Sequence, residues 1–405
     1  MTNLVHRLER LGRFRFAVLL ILLPLSIFYL AAGLYAMSGG DPLRAHEGQS
    51  FNSNDFATFW SASHLALSGT PEAAYDIETM HELERAVAGP STILTPWHYP
   101  PTFLLAVYPL ALMPFPIALL VWLLVPLVGL AWLIQRLFRT HAYAWSLLIF
   151  PCTVICIVSA QNGFLTALLV GAVLLHLDRR PVLAGVFCGL LTWKPHLAGL
   201  VFIALIAGRH WHALASAAAT ALLLLMISAI VFGLAPWRAF IGNLTYVTTL
   251  LESGAMPWER MPSIYVSARL LGADAAVART VQIGGALLAV ATVCAVWHRG
   301  AERAWRGAAI AAALPLVTPY VFDYDLVLLA FVVAWLLDAC LRDGWRPGDT
   351  ALLIAVWIGP AISWPLLKLG GPPFMPLVFV LLLGAIWRRA FPRTALAPVP
   401  SPGTV

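Results

Sequence analysis

From Ile117 to Gln135 the chain reads IALLVWLLVPLVGLAWLIQ, nineteen positions without a charge. About 20 apolar residues carry a helix across the roughly 30 Å hydrocarbon core of a bilayer. In lipid every backbone amide must find its partner inside the protein, which leaves helices or a closed barrel. The run lacks the alternation of a barrel strand, so it is read as a membrane helix. Comparable apolar stretches lie near 16–37, 143–159, 164–177, 212–233, 276–297, 307–321, 325–341, 351–366 and 374–388. Two shorter ones lie near 182–193 and 196–208, and 102–115, broken by Pro109, Pro114 and Pro116, is read as entering the bilayer without a full span.

Composition agrees. Of 405 residues 60% are hydrophobic and 11% charged, and the mean hydropathy is +0.83. Such a chain cannot build a normal polar surface, so its main solvent is lipid. The expected fold is an all-α membrane protein, a polytopic bundle of about 10–12 transmembrane helices. The net charge of +6 comes from basic residues scattered between apolar runs, which reads as orientation signal and not as a nucleic-acid surface. The five cysteines, Cys152, Cys156, Cys188, Cys294 and Cys340, fall in apolar segments, against disulfides or a thiolate metal site.

Alternating the spans puts most of the 25 lysines and arginines on one side, Arg7 to Arg15, Arg136, Arg179, Arg209, Arg299 to Arg306, Arg342 and Arg388 among them. By the positive-inside rule both termini are cytoplasmic. Residues 1–15 form a basic cytoplasmic N-terminus, 16–390 one membrane domain, and 391–405 a disordered tail. The polar stretches 38–101 and 234–275 become extracytoplasmic loops. Cytoplasmic connections are too short for a nucleotide-binding domain, and no glycine-rich phosphate loop follows a strand. A group transferred outside must therefore arrive on a lipid.

Function is best sought in the first outer loop. Asp55 to Ser68 has the pattern of a short helix ended by Gly69 and Pro71, with Asp55 in its first turn. Asp55 either complements the helix dipole or acts as a general base among aromatic residues. Pro71 to Gly89 reads as an interfacial helix with a stripe of Ile77, Met80, Leu83 and Val87, its acidic residues, Glu84 included, lying off the stripe in a structural role. Lys194, in LTWKPH between two short apolar segments, either faces a cavity and an anion or snorkels outward. His196 beside it is a second candidate phosphate donor. Gln161-Asn162-Gly163 forms a tight outer turn, and Arg260 and Ser263 lie in the second loop. Asp323 and Asp325 have a spacing that could hold a divalent metal or orient a hydroxyl, or be solvated. No cofactor is otherwise expected.

Asp55 with Phe59-Trp60, Ala62, Leu65, Gly69 and Tyr75-Asp76, then Tyr99-Pro100-Pro101, Gln161-Asn162-Gly163, Lys194-Pro195 and Met261-Pro262-Ser263, resemble in order and spacing the motifs of glycosyltransferase family 87. The resemblance runs from about residue 50 to 330. It implies a GT-C-like bundle whose first outer loop carries short helices. It also implies an inverting hexosyltransferase, resembling polyprenyl-phosphate-mannose-dependent α-mannosyltransferases, that works on a lipid or glycan acceptor at the outer face of a bacterial inner membrane. Asp55 would be the catalytic base, and Lys194, His196 and Arg260 would hold the donor phosphate. Trp60, Tyr99, Gln161, Asn162, Ser263, Asp323, Tyr324 and Asp325 would line the substrate site. Asp323-Tyr324-Asp325 stands where some members carry a histidine. The rival readings are a lipid-substrate transporter or flippase, which would usually show paired halves, and a non-catalytic subunit of polysaccharide assembly.

Overall fold

The computed structural model describes residues 54–88, 95–138, 147 and 150–392. The expected N-terminal span 16–37, the basic segment 1–15, the start of the first loop, part of the span 143–159 and the tail from 393 lie outside the described residues.

Among the described residues every regular element is helical. In chain order they are α1 (Asn54–Leu67), α2 (Ile77–Ala88), α3 (Pro101–Val107), α4 (Phe115–Leu137), α5 (Pro151–Val158), α6 (Gly163–His176), α7 (Pro181–Leu190) and α8 (Pro195–Ala207). Then come α9 (Trp211–Phe232), α10 (Ala235–Ser253), α11 (Ile264–Leu270), α12 (Ala275–His298), α13 (Arg303–Val317), α14 (Leu329–Asp343), α15 (Asp349–Lys368) and α16 (Met375–Ala390). Short 3-10 turns connect several of them, including Pro71–Tyr75, Tyr108–Leu112, Leu191–Trp193, Trp258–Arg260 and Asp323–Leu328.

Among the described residues, five helical stretches are long and apolar enough to cross a bilayer alone: α4, α9, α12, Asp323–Asp343 and α15. Helices such as α6, at 14 residues, reach only about 21 Å and are covered by neighbours instead. The chain is a polytopic helical membrane protein. α9 exposes Leu222, Leu223, Met226, Ile230 and Val231, an outward apolar face that suits lipid and not water. Its inner side meets α7 through small residues. A Cβ on Gly185 would collide with the Ala213 carbonyl, and one on Gly189 with Thr220 and the Ala217 carbonyl. This Gly-xxx-Gly against Ala-xxx-Ala arrangement lets the backbones approach closely where no hydrophobic force drives helices together. α13 occupies the centre, buried from Trp305 to Leu316 against α12, α14 and α16.

Two expectations need correction. Residues 234–275 are not an open loop, because α10 and α11 fill most of them. Arg238, Asn243 and Tyr246 interrupt its apolar positions, so α10 lacks a span's continuous hydrophobicity. The segment 71–89 is not one helix either. A 3-10 turn ends at Tyr75, and Asp76 Oδ1 accepts from Thr79 N at 2.9 Å to start α2 anew.

Ionic contacts separate into two groups. Arg303 and Arg306 pair with Asp178, Arg342 with Glu302, and Arg389 with Asp349; the sequence assigns all of these to one side. Lys194–Asp325, Arg260–Asp323, Arg279–Glu252 and Lys368–Glu259 join residues assigned to the other.

Candidate active site

Asp55 owes its position to the aromatic packing of α1. Phe56 and Phe59 are buried, with Phe59 centred 4.8 Å from the Trp122 ring and 5.7 Å from that of Tyr99. Driving these rings into the core leaves Asp55, one turn earlier, half-buried at the edge of the layer. There Gln161 Nε2 donates to its Oδ2 at 3.0 Å.

Gln161 is fixed by a strained turn. Ala160 has φ of 48°, a left-handed conformation that costs a non-glycine residue about 1–2 kcal/mol, and Trp122 Nε1 holds its carbonyl at 3.0 Å. Gly163 is needed here for space: a Cβ would strike the Tyr324 carbonyl oxygen. Between them Asn162 Nδ2 donates to the Tyr99 hydroxyl at 2.8 Å, and the Tyr75 hydroxyl donates to the Tyr99 carbonyl at 2.8 Å. Motif residues far apart in the chain thus form one polar network.

Lys194 sits where the 3-10 turn Leu191–Trp193 stops and Pro195 opens α8. Its Nζ lies 2.5 Å from Asp325 Oδ1, and both side chains are 5% exposed. It neither snorkels nor waits unpaired. Arg260 grips Asp323 with two parallel bonds, Nε to Oδ2 at 3.0 Å and Nη2 to Oδ1 at 2.9 Å, and reaches Ser159 Oγ at 2.7 Å. Both cations lie over the Tyr324 ring, Lys194 Nζ at 5.7 Å and Arg260 Cζ at 5.9 Å from its centroid.

Three carboxylates thus share the site with two cations, and they are not equivalent. Asp323 and Asp325 are each bound to a cation. Asp55 accepts only from the uncharged Gln161 among the described residues. Burial raises its pKa above the ordinary carboxylate value, opposed by the charge of Arg260 and the Gln161 bond. That is the direction a general base working near neutrality requires.

A cavity of about 160 Å³ opens beside this cluster, walled in part by Tyr99, Lys194, His196, Tyr324 and Asp325. His98 and Tyr320 also line it. Neither belongs to a motif, and their signal in the sequence is merely adjacency to motif residues. Two expected residues stand apart. Trp60 Nε1 donates to the Met113 carbonyl at 3.2 Å, tying α1 to the turn before α4. Ser263 Oγ caps α11 by accepting from Val266 N at 3.1 Å. Asp323 and Asp325 point at different cations, and no group of three or more His, Cys, Asp or Glu side chains among the described residues could hold a metal ion.

Glu84, which lies off the apolar stripe of α2, is nonetheless drawn inside. Its side chain is fully buried, and Thr58 Oγ1, one turn along α1 from Asp55, donates to it at 2.6 Å. Burial pushes its pKa up to about 7, with Thr58 pulling the other way.

The family model for glycosyltransferase family 87 matches residues 97–319. The match takes in Tyr99, Gln161, Lys194 and Arg260 and stops short of Asp55, Asp323 and Asp325. No curated protein and no solved structure matches the chain.

Proposed function

The chain belongs to glycosyltransferase family 87 and is a membrane glycosyltransferase; on that premise we propose that it transfers a hexose, mannose foremost, from a polyprenyl-phosphate sugar to a lipid or glycan acceptor. The observation that carries the reading is Asp55, a half-buried carboxylate without a cation in contact but within the field of Arg260, which with the buried Lys194 faces Tyr324. The reaction is assigned to the outer face of a bacterial plasma membrane, with both termini cytoplasmic.

In this reading the acceptor hydroxyl oxygen attacks the anomeric carbon while its proton passes to Asp55. The carbon–oxygen bond to phosphate breaks, and the electron pair leaves on the lipid phosphate. Phosphate is a good leaving group that needs cationic stabilisation more than an acid, so one carboxylate suffices where a glycoside hydrolase uses two. Attack opposite the phosphate inverts the anomeric centre. Asp323 and Asp325 hold Arg260 and Lys194 in place until the donor phosphate shares those cations. A second hollow, of about 330 Å³, is lined by Ala218, Leu222, Leu225 and Trp237 and shares Pro100, Pro195 and Phe240 with the cavity beside Lys194. An apolar hollow next to a cavity that reaches the Lys194–Asp325 pair suits a substrate with a hydrocarbon chain and a sugar-phosphate head.

The test is to incubate the purified protein with radiolabelled polyprenyl-phosphate mannose, glucose and galactose, together with a bacterial membrane lipid extract. Transfer of label to a lipid or glycan is the expected result; no transfer from any donor would overturn the reading.

A further inference from the structure

His98 is held in one orientation and one tautomer. Its ring stacks on Tyr99 with centroids 4.6 Å apart and meets Tyr320 edge-on at 5.2 Å. Nδ1 lies 3.0 Å from the Pro96 carbonyl oxygen. A carbonyl can only accept, so Nδ1 carries the hydrogen and the neutral ring presents a bare lone pair at Nε2. No residue among those described bonds that nitrogen, and the ring lines the cavity beside Lys194. Burial, reinforced by the Lys194 charge, pulls its pKa down to about 4 against the Pro96 bond, so the lone pair persists at neutral pH.

We propose that His98 is a specificity-determining residue, whose Nε2 accepts a hydrogen bond from one hydroxyl of the transferred sugar. The assignment rests on the glycosyltransferase reading and deepens it. An ionised phosphodiester has no hydrogen to donate, so the Nε2 lone pair repels it, whereas every sugar hydroxyl can donate. Lys194, on the same wall, has the opposite preference. The donor is thereby oriented with its phosphate toward Lys194 and its ring toward His98, in the cavity that Tyr320 and Trp193 also line.

The experiment compares wild type with His98→Phe and His98→Gln, using the polyprenyl-phosphate hexose that wild type uses best and its monodeoxy analogues. The readout is kcat/KM for each deoxy donor relative to the parent within one protein, a ratio independent of the folded fraction. Wild type should lose about tenfold or more with one deoxy donor. His98→Phe, which keeps the ring but no acceptor, should bring that ratio close to one. His98→Gln, whose amide oxygen can reach toward the Nε2 position, should restore part of it. Wild-type ratios across the whole series in His98→Phe would overturn this assignment alone. A wild-type protein inert toward every polyprenyl-phosphate hexose would overturn the donor reading and this assignment together.

Discussion

Lys194 Nζ and Asp325 Oδ1 are 2.5 Å apart, joining residues 131 positions apart in the chain, and water reaches little of either. Removing one partner of a buried pair costs about 3–5 kcal/mol, because the other charge stays buried alone. Lys194→Ala should therefore lose both stability and use of the lipid-phosphate donor, while Lys194→Arg keeps part of each. Lys194→Met combined with Asp325→Leu should recover the thermal midpoint without recovering transfer. Normal transfer by the stable double variant would remove Lys194 from the donor site.

Asp55→Asn keeps the shape and can still accept from Gln161 but cannot take a proton, so turnover should fall by about 10²–10⁴-fold at matched thermal stability. Asp55→Glu, which moves the carboxylate by one methylene, should also be poor. In wild type the raised pKa of Asp55 places the acid limb of the pH–rate profile above the ordinary carboxylate value, with activity lost as pH falls through it. Arg260 lowers that pKa, so Arg260→Gln should shift the limb of its residual activity to higher pH. Near-normal transfer by Asp55→Asn ends the case for it as the base.

Glu84 makes stability depend on pH in the opposite sense from a salt-bridged acid. Its folded pKa lies above the unfolded one, at about 7 against 4.5. Its contribution is therefore full below pH 4.5 and is lost as pH rises through about 7. At roughly 1.4 kcal/mol per tenfold change in the equilibrium, that difference is about 3 kcal/mol. Glu84→Gln, which can still accept from Thr58, should flatten the dependence and melt higher than wild type at pH 8. A variant whose melting temperature tracks wild type from pH 5 to pH 8 would show that Glu84 does not titrate in this range.

Orientation is open to direct labelling. Cysteines introduced at Ala73 and Ala255 should react with an impermeant thiol reagent in intact cells, and one at Ala304 should not. Labelling of the last alone would invert the topology and put the cluster on the cytoplasmic face.

Much of the architecture is legible in the sequence. A helix expected from Asp55 to Ser68 forms over Asn54–Leu67, and the run at 117–135 lies within α4. Of the motif residues, Gln161 bonds Asp55 and the charges of Arg260 and Asp323 act on it, while Asn162 bonds Tyr99 and Lys194 bonds Asp325. Where the reading falls short, burial is the cause. Glu84 looks like one more acid on a polar face until α2 packs on α1 and puts it under Thr58. His98 belongs to no motif, and only the fold brings it to the cavity, where the Pro96 carbonyl selects its tautomer.

The sequence by itself determined that this chain lives in lipid as a bundle of helices. Lipid tests each residue locally: the hydrocarbon core rejects charge and unpaired amides, so an apolar run of sufficient length declares itself without knowledge of its neighbours. Only the tertiary structure decided which charges meet. Asp323 and Asp325 stand two positions apart, yet one is bound to Arg260 and the other to Lys194, and Asp55 is left with an uncharged amide. The chemical character of those three carboxylates is a property of distance and burial, which short-range sequence does not encode.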